Sequence, residues 1–273
     1  MNASSHTLAP AAPARALPAR PTPLDGRTGA ILAVLTAKTS RPRPPVPARL
    51  DGIPDALRGP LVALLQRFRL GEAGEGRVAG EARTTRDPAF DDALREATTL
   101  YVREEGRHAA ILARVLAALG APTLTRATAE VLFRRGRRLL GLRTKMLVIA
   151  CAEVVGVAVY ERVRDGVPCP ALAHAAGDIL SDELTHLDFQ SLLFARIVAT
   201  HGRLAPLAAP AVAIAFAAVL SAATLLVTAQ HHVALRRLGT TPAAFVRRCA
   251  HIGLELARAA ADGGRPCDRA AWA

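Results

Sequence analysis

The feature that most constrains this chain is a repeated acidic motif. Glu104-Glu105-Gly106-Arg107-His108 and Asp182-Glu183-Leu184-Thr185-His186 each place a histidine three residues after a glutamate, with another acid immediately before it. Random placement of 11 glutamates and 8 histidines in 273 residues would produce about 0.3 such Glu-x-x-His pairs. One occurrence would be noise, whereas two inside long helical patterns carry information. Residues three apart share a helix face, so each Glu and its His can chelate one ion together.

Both motifs sit on stripes whose spacings alternate between four and three. On one predicted helix the stripe is Tyr101, Glu105, His108, Leu112, Val115 and Leu119; on another it is Ile179, Glu183, His186, Gln190, Leu193 and Ile197. These are inward positions of a packed bundle. An acid there is costly unless it is paired or bound to a metal. A third stripe, Met146, Ile149, Glu153, Gly156, Tyr160 and Val163, carries Glu153 as its only acid. Glu153 and Glu183 are each 15 residues from a turn near Pro168, so they lie level across a hairpin. The first stripe is Leu65, Phe68, Glu72, Glu75 and Ala79. Counted from a turn near Asp87, Glu72 misses the level of Glu105 by ~4.5 Å and Glu75 by ~9 Å. Glu72 is therefore the preferred ligand, with Glu75 an alternative or extra one.

One Glu from each of two helices and Glu-x-x-His from each of two more make a set for a pair of metal ions: Glu72, Glu105, His108, Glu153, Glu183 and His186. Carboxylates with imidazoles suit two Fe ions, or Mn, better than thiolate-preferring metals. A ligating histidine needs an acceptor for its other ring N–H. Across the bundle, Asp182 is predicted to serve His108 and Glu104 to serve His186; the plain alternative is that both acids face solvent. Tyr101 and Tyr160 lie on the ligand stripes, either backing the ligands or packing as ordinary core tyrosines. Glycines at 71, 74 and 76 weaken a ligand-bearing turn, and with Gly156 opposite they suggest close packing or room for a ligand.

Ala- and Leu-rich segments with few aromatics favour an all-α fold, a four-helix bundle with additional C-terminal helices. The spacing predicts helices over 54–83, from the Asp87-Pro88 cap to 119, over 142–164, from about 170 to 200, and from Thr241-Pro242 to 261. Residues 1–50, rich in proline, read as a disordered leader in which 28–38 could dock on the bundle. Residues 51–203 form the di-metal bundle and 204–273 a helical extension. Leu204 to Gln230 is 27 residues without a charge. That length could meet a membrane surface, but eleven alanines favour a helix buried against the bundle.

The net charge of +12 raises a nucleic-acid partner. The excess is local, however: the leader holds seven basic residues against Asp25 alone, and Arg134, Arg135, Arg137, Arg138, Arg143 and Lys145 cluster with one aromatic, Phe133. A stacking platform would need more, which argues against that partner. Cys151, Cys169, Cys249 and Cys267 form no CxxC pair, and no secretory signal opens the chain, which fits a cytoplasmic protein.

On these residues the chain resembles the ferritin-like di-iron carboxylate superfamily over about 54–200. Gly71-Glu72-Ala73-Gly74 is similar to the GExG segment that carries the first ligand in demethoxyubiquinone hydroxylases, and the order Glu, ExxH, Glu, ExxH follows. The CxxC module of rubrerythrins is absent, and where the N-oxygenase branch has a histidine four residues before the last Glu this chain has Ile179. The likeness is broadest to bacterial ferritin-like proteins of similar length. It implies an O₂-activating oxidoreductase, a hydroxylase or monooxygenase, whose partners are dioxygen, a small organic substrate and an external electron donor, with a homodimer compatible. Alternatives are a ferroxidase or peroxide-scavenging protein and, in a different class, a non-catalytic membrane-peripheral or nucleic-acid-associated binding protein.

Overall fold

The computed structural model describes residues 23–73, 76–124 and 141–270. Its regular structure is helical, with no strand among the described residues. The helices are α1 (Pro23–Lys38), α2 (Asp55–Glu72), α3 (Gly76–Thr84), α4 (Asp92–Ala118), α5 (Leu142–Gly166), α6 (Pro170–Ala199), α7 (Ala205–Arg237) and α8 (Pro242–Ala261). A short 3₁₀ turn, Gly202–Leu204, links α6 to α7.

The heart of the molecule is a helical bundle. α5 and α6 pack on each other most extensively, α2 and α3 line up along α4, and contacts between α4 and α6 and between α3 and α5 join the two pairs. The remaining helices cover grooves: α1 lies on α4 and α6, α8 on α6 and α5, and α7 on α5 and α2. The inward stripes supply a core that includes Leu65, Leu112, Val115, Met146, Ile179 and Leu193. Gly166 ends α5 where a Cβ would come within 2.9 Å of the Leu238 backbone, so only glycine lets the α7–α8 corner approach this closely.

Several boundaries differ from the sequence expectation for local reasons. The helix expected over 54–83 is interrupted: α2 ends at Glu72 and α3 begins at Gly76, in the glycine-rich stretch where helix propensity is lowest. Added Cβ atoms at Gly71 and Gly76 would meet nothing within 4 Å, so these glycines mark open space rather than close packing. Gly74 and the alternative ligand Glu75 lie outside the described residues, as do Arg134, Arg135, Arg137 and Arg138. The cap of α4 is Asp91, whose side chain accepts from the Leu94 N–H at 2.8 Å, and not Asp87. Asp87 instead accepts from the Ala89 N–H at 2.9 Å and from Arg143, which holds its carboxyl below the usual range. Lys145 pairs with Glu81 at 2.6 Å, so two members of the basic cluster are already neutralised within the fold.

Residues 23–50, expected within a disordered leader, pack on the bundle. α1 starts at Pro23, earlier than the predicted docking segment, and buries Leu35 completely, while Leu50 is also in the core. Proline fixes the connecting backbone without preventing it from lying along a groove. The larger correction concerns α7. It is not buried: only 22% of its most apolar stretch is covered. One stripe, with Phe216, Leu220, Thr224 and Thr228, faces the bundle, and the rest of the helix is open.

Candidate metal centre

α4 and α6 bring the two motifs together in the middle of the bundle. Ligand atoms of Glu105, His108, Glu183 and His186 all lie within 4.8 Å of one another, and all four residues are buried. His108 turns Nδ1 toward the centre, 3.3 Å from Glu183 Oε1 and 3.8 Å from Glu105 Oε1. His186 does the same, with Nδ1 3.0 Å from Glu105 Oε1 and 3.4 Å from Glu183 Oε2. The pairing therefore differs from the expectation that each Glu serves its own His. Both carboxylates stand between both imidazoles, because the α4 and α6 faces meet head-on and place each i,i+3 pair opposite the other.

The remaining acids flank this group on either side. Glu72 Oε2 lies 3.7 Å from His108 Nδ1, and Glu153 Oε2 lies 3.4 Å from His186 Nδ1. Each of these glutamates is held from behind by a tyrosine. Tyr160 donates to Glu72 Oε1 at 2.6 Å, and Tyr101 donates to Glu153 Oε1. One oxygen of each carboxylate is thus engaged by a hydroxyl while the other faces the centre. Tyr101 also stacks on Phe189 and meets the His186 ring edge-on, so the aromatic wall fixes the imidazole.

The predicted acceptors are in place. His108 Nε2 is 3.2 Å from Asp182 Oδ2, and His186 Nε2 is 3.0 Å from Glu104 Oε2. Asp182 is 1% and Glu104 4% exposed, which rules out solvent-facing acids. With each Nε2–H directed outward to a carboxylate, the inner Nδ1 lone pairs are free to bind a cation.

Whether these residues fit metal ions is tested by their own polar atoms. His108 Nδ1, His186 Nδ1, Glu105 Oε1 and Glu183 Oε2 are buried without a hydrogen bond of acceptable geometry. Buried donors and acceptors left in this way are expensive unless another partner satisfies them. Burial and the carboxylates of Glu72 and Glu153 push the Glu105 carboxyl well above its usual range, and burial and Glu153 push Glu183 up as well. Glu153 moves the other way: burial opposes ionisation, but Glu183, His186 and Tyr101 outweigh it. So many acids cannot all ionise in one dry pocket without cations. The ring offers carboxylate oxygens and imidazole nitrogens, and no cysteine joins it.

Sequence reasoning missed the cations behind Asp182. Lys38 of α1 lies 3.0 Å from its Oδ1, while Arg41 and Arg107 approach Oδ2 at 2.7 and 2.8 Å. Asp178, one turn earlier, takes Arg107 at 2.6 Å and Arg41 at 3.1 Å. The Asp178-x-x-x-Asp182 spacing and Arg107 beside His108 were the available signals. Burial disfavours ionised Asp182, but His108 and Lys38 together hold its carboxyl far below the usual range. No lysine or arginine is paired with Glu104 among the described residues, so the two histidines are backed unequally. Gln190, one turn beyond His186, is fully buried with neither amide atom hydrogen-bonded, adding a polar group to an otherwise apolar wall. At Gly156 an added Cβ would touch Tyr160 and Glu183 at 3.7–3.8 Å, so the glycine keeps space open beside Glu183.

No protein-family model, curated protein or solved structure matches this chain.

Proposed function

We propose that the protein is a ferritin-like di-iron carboxylate oxidoreductase that activates dioxygen to hydroxylate an organic substrate. The observation that carries this reading is the placement of Glu105 and Glu183 between His108 and His186, with the inner ring nitrogens left without hydrogen-bond partners. Glu72, Glu105, His108, Glu153, Glu183 and His186 together would hold the two ions. When bound, the iron pair would supply redox chemistry with the balance RH + O₂ + 2 electrons + 2 protons giving ROH + H₂O, the electrons coming from an external donor.

The chain's own groups have separate work. Asp182 and Glu104 retain the Nε2 protons and so fix the tautomer of both ligands. Tyr101 and Tyr160 each occupy one oxygen of an end carboxylate, limiting how far that carboxylate can swing. The fully buried aromatic and aliphatic shell keeps bulk water from the centre. Four free, buried cysteines agree with a reducing cytoplasm, where we place the protein, peripheral to a membrane through α7.

The test is elemental analysis and iron loading, followed by dioxygen uptake with a reductant. Two irons per chain and reductant-dependent uptake that fails in a Glu105→Ala, Glu183→Ala double variant are expected. Uptake that tracks added ferrous ion, without any need for an organic substrate, would assign a ferroxidase instead. A protein that loads iron but consumes no dioxygen would end the oxidoreductase reading.

A further inference from the structure

α7 presents an apolar surface that the fold leaves uncovered. Leu207, Ile214, Leu225 and Leu226 are 72%, 70%, 59% and 53% exposed, and Val233 extends the face past a kink at His231. From Leu207 to Val233 the face runs ~39 Å. The helix is not available to cross a bilayer, because Phe216, Leu220, Thr224 and Thr228 are locked against the bundle along the opposite stripe. Inserting it across hydrocarbon would drag charged neighbours such as Arg67, beside His231, with it. It can only lie flat, with its free side in an interface.

Charge decides what that interface is. Between Asp188 and Glu255 the chain contains no acidic residue, while Arg203, Arg236, Arg237 and Arg247 are all exposed there. No ion pair engages these four arginines among the described residues. Arg203 stands at one end of the apolar face and Arg236 and Arg237 at the other. A second copy docked on this helix, parallel or antiparallel, would set arginine against arginine with no acid of α7 itself to pair them. An anionic leaflet supplies both missing complements: acyl chains for the leucines and phosphates for the arginines.

We propose that α7 is the docking element of a monotopic protein, lying in the surface of an anionic bilayer with Leu207, Ile214, Leu225 and Leu226 sunk below the headgroups and Arg203, Arg236 and Arg237 on the lipid phosphates. This docking stands or falls independently of the metal centre, because α7 contributes no ligand. It is read by flotation of the full chain with vesicles of phosphatidylcholine alone or mixed with phosphatidylglycerol, at low and high salt. The chain floats with the mixed vesicles, and high salt weakens the association. An arginine near an anionic surface contributes roughly fivefold in partitioning, so R203Q/R236Q/R237Q is expected to bind about a hundredfold more weakly. Ile214→Ser with Leu225→Ser, at exposed positions, also lowers binding while metal content and helicity stay at the parent level. The proposal is overturned if the parent chain ignores both vesicle types, if neither variant changes its binding, or if the face proves to be buried in a dimer that the serine variant dissociates.

Discussion

Replacing Asp182 with Asn tests how the centre is held, because the two histidines are backed so differently. The Asp182 carboxylate is 1% exposed and meets Lys38, Arg41 and Arg107 at 3.0, 2.7 and 2.8 Å, besides His108 at 3.2 Å. An asparagine keeps one acceptor oxygen, turns an NH₂ toward a cation and removes the charge those cations surround. Stranding one partner of a buried ion pair costs about 3–5 kcal/mol. Glu104→Gln is the matched control: it removes the charge-assisted hydrogen bond to His186 at 3.0 Å and, unlike D182N, strands no lysine or arginine. Its expected cost is about 1.5–3 kcal/mol. Both changes loosen a ligating imidazole and should weaken the first or second metal equivalent by about 10- to 100-fold. Urea unfolding of the metal-free variants, paired with anaerobic calorimetric titration of Fe(II) or Mn(II), separates the two effects. D182N should lose clearly more stability than E104Q while the losses in metal affinity are similar. Adding Lys38→Met to D182N should recover part of the stability, since one stranded cation is then gone. Equal destabilisation by D182N and E104Q, or no recovery with Lys38→Met, would refute the reasoning that stranded cations set the cost.

The metal-free protein should lose stability as pH rises through neutrality. Burial pushes Glu105 and Glu183 up; burial opposes charged His108 and His186, but surrounding carboxylates outweigh it and hold both well above the usual range. All four then bind more protons folded than unfolded, so their contribution is complete in acid and drains away as pH climbs. Asp182 and Glu153, held low, act oppositely and are fully in force above the ordinary carboxylate range. Urea midpoints falling from about pH 6 to 8 without metal, and rising or level with it, are expected; a metal-free midpoint that climbs over that interval would contradict the crowding of acids. At Gly156 an added Cβ already lies at ordinary contact distance from Tyr160 and Glu183, so G156A should keep the metal, while the longer side chain of G156L, reaching past that contact, should cost metal or turnover, read by elemental analysis and dioxygen uptake.

Much of this centre is visible in the sequence because helix periodicity is local. The 4,3 stripes alone put Glu72, Glu105, His108, Glu153, Glu183 and His186 on inward faces, and the acid preceding each Glu-x-x-His put Asp182 and Glu104 within reach of the opposite histidine. Residue counts to the turns also favoured Glu72, which the fold brings to His108. Helix phase and length are properties of a few consecutive residues, so they survive without knowledge of the neighbours. What only the tertiary structure decided depends on how the faces meet. Glu105 and Glu183 stand between both imidazoles because α4 and α6 oppose each other directly, a relation that no single helix encodes. Lys38 and Arg41 reach Asp182 only because a proline-rich segment folds back over a groove. The openness of α7 follows from the bundle having only one stripe to offer it, since an uncharged helix carries no mark of which side will be covered.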